Sequence, residues 1–129
     1  MMSAKAKHCF DQYQKNFTLA IELEEKLDDD GGWSCVVRFY AALHLINAYL
    51  IDKTNLRFDP LSSEHQHRKA ALERCPELRD APHKYRLIKE LSESVRYDAT
   101  FPFTAEEREN AARWLAKIVA VVEPKLKRA

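Results

Sequence analysis

Apolar residues recur along this chain at steps of three and four, and polar or glycine- and proline-bearing segments near 28–32, 52–62, 76–82 and 98–103 break the recurrence. Between residues 4 and 27, Phe10, Tyr13, Phe17, Ala20, Ile21 and Leu27 fall on one side of a helical wheel. The run Asp28-Asp29-Asp30-Gly31-Gly32 ends that helix, because glycine relaxes the backbone and acids sit poorly at a helix carboxyl end. A second helix starts at Trp33 or Ser34 and runs to about Ile51. Its apolar positions Val36, Val37, Phe39, Tyr40, Leu43, Ile46, Leu50 and Ile51 cover more than one stripe, which marks a central helix with several neighbours. Ala41, Ala42 and Ala48 let those neighbours come close.

Ser63-Glu64-His65-Gln66 has the pattern of a capping box and predicts a third helix over residues 64–74. Pro76 and Pro82 bracket a break. A fourth helix begins near His83 and carries Leu87, Ile88, Leu91 and Val95. Thr104-Ala105-Glu106-Glu107 is a second capping box, with both acids in the first turn, where the helix dipole favours them. The fifth helix presents Ala111, Leu115, Ile118, Val119 and Val122 and ends near Pro124 in a basic tail. No segment alternates as a strand does. The expectation is an all-α, up-and-down bundle of about five helices, a single domain over residues 1–129. Phe39, Tyr40, Leu43, Leu91, Leu115 and Ile118 are expected in its buried set.

Composition narrows the class. A chain of 129 residues with 46% hydrophobic content buries enough surface to need neither metal nor disulfide staples. Its 2 glycines argue against a turn-rich sheet protein. With 21 basic and 20 acidic residues the net charge is +1, so no overall basic field gathers nucleic acid, and only a local patch is left to do so. Cys9, Cys35 and Cys75 are odd in number with no CxxC pair, the usage of reduced thiols in the cytoplasm. The amino end lacks the apolar run of a signal peptide, and the stretch 36–51 is short for a membrane span and interrupted by Arg38, His44 and Asn47. A cytoplasmic protein that does not enter the membrane is expected.

One string on the second helix carries a resemblance: Trp33-Ser34, then Arg38-Phe39-Tyr40-Ala41-Ala42-Leu43-His44, then Ala48 and Leu50. It resembles the central helix of small HEPN domains, in which an aromatic pair followed by alanine precedes a histidine one turn on. Ser63-Glu64-His65, Leu91 with Val95-Arg96-Tyr97-Asp98, and Ala111 in the last helix extend the similarity over most of residues 33–122. The resemblance implies an antiparallel bundle that forms a homodimer. Relatives bind RNA or a nucleotide, in defence or toxin–antitoxin type systems, or partner a nucleotidyltransferase-type protein. Some are metal-independent ribonucleases that use an arginine and a histidine four to six residues apart.

Arg38 and His44 fit that spacing, with arginine to hold the phosphate and histidine to move protons. Two departures limit the expectation to weak cleavage at most. Phe39 stands where a polar residue usually follows the arginine, and the pair lies earlier in the domain than is usual. Six helical steps also separate the two by roughly 9 Å along the axis and about 120° around it. The bland readings are a salt bridge from Arg38 to an acid of the first helix, and a hydrogen bond from His44 inside the bundle. Tyr40, Asn47, His65, Arg68, Arg96 and Tyr97 are candidate ligand-binding residues. His44, His65, Arg68 and Arg96 would line an anion pocket if the second, third and fourth helices converge. No HExxH, CxxC or glycine-rich phosphate loop occurs, so neither metal nor cofactor is expected. The competing reading is a non-catalytic structural or protein-interaction module forming homo- or hetero-oligomers.

Overall fold

The computed structural model describes residues 2–27, 32–53, 65–98 and 100–126, and the side chains of all of these except 65–67. Five α-helices and no strand occur among the described residues: α1 (Ala4–Lys26), α2 (Trp33–Lys53), α3 (His65–Glu73), α4 (Ala81–Tyr97) and α5 (Ala105–Val122). Short 3₁₀ turns cover Pro76–Leu78 and Glu123–Lys125. The bundle is all-α, as the periodicity predicts.

The helix ends follow local chemistry. Ser3 caps α1 by accepting from the Ala6 amide at 3.2 Å. Gly32 opens α2, its carbonyl accepting from the amides of Cys35 at 3.0 Å and Val36 at 3.3 Å. Its φ of +89° suits glycine, and an added Cβ would meet Val95 Cγ1 at 2.8 Å and Phe103 Cγ at 3.2 Å. The capping box at Thr104 forms, with the Thr104 amide donating to Glu107 Oε2 at 3.0 Å. Pro82 lies in the first turn of α4 rather than in the break before it, where its missing N–H costs nothing. The acidic run 28–30 with Gly31, and Ser63 with Glu64 of the third-helix capping box, lie outside the described residues.

α2 packs against α1, α4 and α5, while α3 lies mainly on α4 and the turn Pro76–Leu78. One core joins them, with Phe39, Leu45, Ile46 and Leu50 of α2 at its centre and Ile88, Leu115, Ile118 and Val122 around it. Burying each such side chain contributes about 1.5–3 kcal/mol. Of the residues expected in the core, Phe39, Leu43, Leu115 and Ile118 are buried. Leu91 is half-buried, and Tyr40 is 37% exposed because it sits on the outer edge of α2. α1 buries Ala6, Cys9, Phe10, Tyr13 and Ala20. Ile21 and Leu27 are exposed instead; Ile21 falls about 100° round the helix from the buried Ala20.

By length and composition α2, 21 residues long, is apolar enough to cross a membrane, with a mean hydropathy of 1.4 over its most apolar 18 residues, and it is longer than the sequence suggested. Here 72% of its most apolar window is buried inside the bundle.

Candidate functional site

Tyr40, His44 and Asn47 follow one another at steps of four and three, so they form one stripe along α2. Side chains from three other helices bear on this stripe. At its amino-terminal end, the Arg96 guanidinium of α4 donates to the Tyr40 hydroxyl at 3.1 Å. It also sits 5.5 Å from the Phe39 ring centroid, 5.7 Å from Tyr40 and 5.0 Å from Tyr97. Such contacts hold a cation over aromatic faces. Tyr97 is 76% exposed, so Tyr40 and Tyr97 offer open rings on either side of a fixed guanidinium.

At the carboxyl-terminal end lies Arg68, the largest side chain buried completely. It reaches from α3, and its Nε donates to Asn47 Oδ1 at 2.9 Å. Asn47 is also fully buried, and its Nδ2 has no acceptor among the described residues. Burying a donor without a partner costs about 1–3 kcal/mol, so the amide is a position that favours an acceptor. Tyr85 of α4 links the two ends: its ring stacks on Phe39 at 5.8 Å, and the Arg68 charge acts on its hydroxyl. Burial pushes that phenol up, and Arg68 partly opposes the rise.

His44, in the middle of the stripe, is half-buried. Its pKa lies below the usual histidine value, first because of burial and then because of the charges of His8 on α1 and Arg68. Cys9 feels the same neighbourhood: burial raises its thiol, while Lys5 and Arg68 pull it down. The charges of His8 on α1 and Arg68 on α3 thus both reach His44.

Arg38 points elsewhere. Its guanidinium grips Glu24 of α1 with two bonds, at 2.6 Å and 2.8 Å, and Arg108 approaches the same carboxylate at 3.6 Å. This is the salt bridge to the first helix that was the bland reading of Arg38. His44 feels the charge of His8, and His8 and Glu24 are 16 residues apart on α1, roughly 24 Å along its axis. Arg38 and His44 are thus committed to opposite ends of α1. Among the anticipated ligand residues, Tyr40 meets Arg96 and Tyr97, and Asn47 meets Arg68. His65 opens α3, and its side chain lies outside the described set.

Sequence reasoning missed Lys5, His8, Cys9 and Tyr85. Their signal was faint, because only the pairing of α1 with α2 brings the charge of His8 to bear on His44. A groove of about 460 Å³ runs between α3 and α4, floored by Leu72, Pro82 and Tyr85; it touches the stripe's network through Tyr85 alone. Among the described residues no group of three or more histidines, cysteines and acids is placed to hold a metal ion.

Compared with protein-family models, curated proteins and solved structures, the chain finds no match. Function must therefore be argued from the side chains themselves.

Proposed function

We propose that this chain is a HEPN-like helical protein that binds RNA or a nucleotide along the α2 stripe, and that it does not cut RNA with Arg38 and His44. The observation that carries the reading is the division of labour along that stripe. Exposed aromatic rings with an arginine, Tyr40, Tyr97 and Arg96, stand at one end, and a donor-rich basic cluster around His44 and Asn47 stands at the other. Bases stack on aromatic faces, and phosphates seek N–H donors. Seven helical steps put the two ends about 10 Å apart, a span that suits a base at one and a phosphate at the other. Catalysis is disfavoured because Glu24 occupies the guanidinium that would have to stabilise the transition state.

Fluorescence anisotropy with labelled single-stranded RNA and with a nucleoside monophosphate tests the reading. The paired substitution Tyr40→Ala and Tyr97→Ala is expected to weaken binding by about tenfold or more, since each stacked base contributes about 1–3 kcal/mol. Binding is expected to fall as salt rises. No cleavage product is expected from the wild-type protein.

A second reading has its own support. Trp33 is 57% exposed at the start of α2, and together with Tyr40, Tyr97 and Arg96 it gives the residue types that anchor protein interfaces. RNA and nucleotide affinities that stay negligible in the wild type would favour this interaction-module reading. The homodimer, the nucleotidyltransferase-type partner and the cytoplasmic setting belong to the HEPN-like proposal and stand or fall with it.

A further inference from the structure

We infer that α3 and the turn Pro76–Leu78 form a strap over the carboxyl-terminal end of the α2 stripe, which swings away about Arg79 while the other four helices stay packed. Its role as a gate rests on the reading of that stripe as a ligand face; its motion does not. The bonds to α2 carry the argument furthest. Arg68 of α3 donates to Asn47 Oδ1 at 2.9 Å, and Glu77 of the turn accepts from the Tyr49 hydroxyl. Asn47 and Tyr49 are two residues apart and so about 200° apart round the helix, which means that the strap grips α2 from two sides. α3 itself lies mainly on α4 and the turn, and long side chains tie it to α2.

The apolar anchorage is slight. Within α3 only Ala71 and Leu72 are buried hydrophobics, followed by Cys75 and by Leu78 in the turn. Packing on α4 is incomplete, leaving the groove of about 460 Å³ floored by Leu72, Pro82 and Tyr85. Closure also carries costs that opening relieves. Arg79, the joint between the turn and α4, has φ +55° and ψ −121°, the one positive φ at a non-glycine among the described residues. A Cβ makes that conformation unfavourable. Asn47 Nδ2 is buried beside the Arg68 bond with no acceptor among the described residues, and opening brings it water. Both costs fall where the strap meets the bundle, whereas the packing of α2 on α1, α4 and α5 is untouched by its departure. Opening therefore takes less free energy than unfolding the whole chain. It uncovers Asn47 and the Tyr85 hydroxyl and makes the groove continuous with the stripe.

Amide hydrogen exchange by mass spectrometry on the intact chain, with no ligand present, tests the strap. Amides within residues 68–78 are expected to exchange at least about tenfold faster than those of α2 and α5. Low urea should leave their rates nearly unchanged, since a local opening exposes little surface. Tyr49→Phe keeps the ring and removes one clasp, so exchange within 68–78 should quicken by a further tenfold or so while α5 stays as in the wild type. Arg79→Gly takes up positive φ freely and should slow the same amides by about threefold. Exchange of 68–78 in step with α2 and α5 overturns the strap, as does a Tyr49→Phe variant in which all helices quicken alike. Stopped-flow binding then tests the gate: Tyr49→Phe should speed association of labelled RNA or nucleotide, and an unchanged rate in a variant that opens faster removes the gate. A wild type that binds neither ligand removes the ligand reading and leaves the measured motion standing.

Discussion

Two arginines converge on Glu24, Arg38 from α2 and Arg108 from α5. Replacing it with glutamine leaves Arg38, only 7% exposed, without its charge partner. Urea denaturation of Glu24→Gln is expected to show a loss of about 1–3 kcal/mol, whereas removing the exposed Lys7–Asp11 pair should change stability by less than about 0.5 kcal/mol. His44 gives a pH signature. Its folded pKa lies below the ordinary histidine value of 6.5, so on acidification the unfolded chain takes up the proton first, and stability falls as pH drops below 6.5 until folded His44 also protonates. The alkaline limb has the opposite cause. Cys9 and Cys75 are raised from 9.0 and Tyr85 from 10.0, so the unfolded chain loses these protons first and stability falls as pH climbs past about 9. Thermal melts across pH check both limbs, and His44→Gln should flatten the acid one. At this scale the sequence was a partial guide. It pointed Arg38 toward an acid of the first helix, but which acid depended on the angle at which two helices cross. It placed Tyr40 in the core because hydrophobicity alone does not say which edge of a many-sided helix meets solvent.

Helix ends were the most legible elements, because a cap is set by residues three positions apart. Thr104 and Glu107 form the box their spacing announces, and Thr104→Ala should cost about 1 kcal/mol in denaturant midpoint experiments. Gly32 was readable as a breaker of α1, but not as the residue on which α4 rests. Its positive φ and the 2.8 Å approach of Val95 predict that Gly32→Ala destabilises by about 2 kcal/mol or more. A variant of unchanged stability would mean that Val95 and the backbone yield at little cost. The length of α2 was underestimated, since Asp52 and Lys53 read as loop by polarity yet continue the helix. The candidate site was legible on α2 itself, where Tyr40, His44 and Asn47 share a face. It was illegible on α1, where nothing local distinguishes His8.

For the whole molecule, the periodicity sufficed to predict an all-α bundle with α2 at its centre, because every face of that helix is apolar somewhere along its length. Assembly is a separate matter: the homodimer proposal predicts a solution mass of twice 15.0 kDa by light scattering, and a steady 15.0 kDa across a concentration series would remove it. The unequal packing of the bundle has one more consequence, through its thiols. Cys9 lies in α1 and Cys35 in α2, while Cys75 follows α3, and all are buried, at 4%, 0% and 3% exposure. None can meet an alkylating reagent until its own part of the bundle opens, so the chain carries built-in clocks for local opening. Cys75 lies just beyond α3, the shortest of the five helices, and should be modified first under native conditions, and Cys35, on the central helix itself, last. Mass spectrometry of peptides after timed exposure to iodoacetamide reads the order directly, and identical rates at all sites would mean that the bundle opens only as a unit.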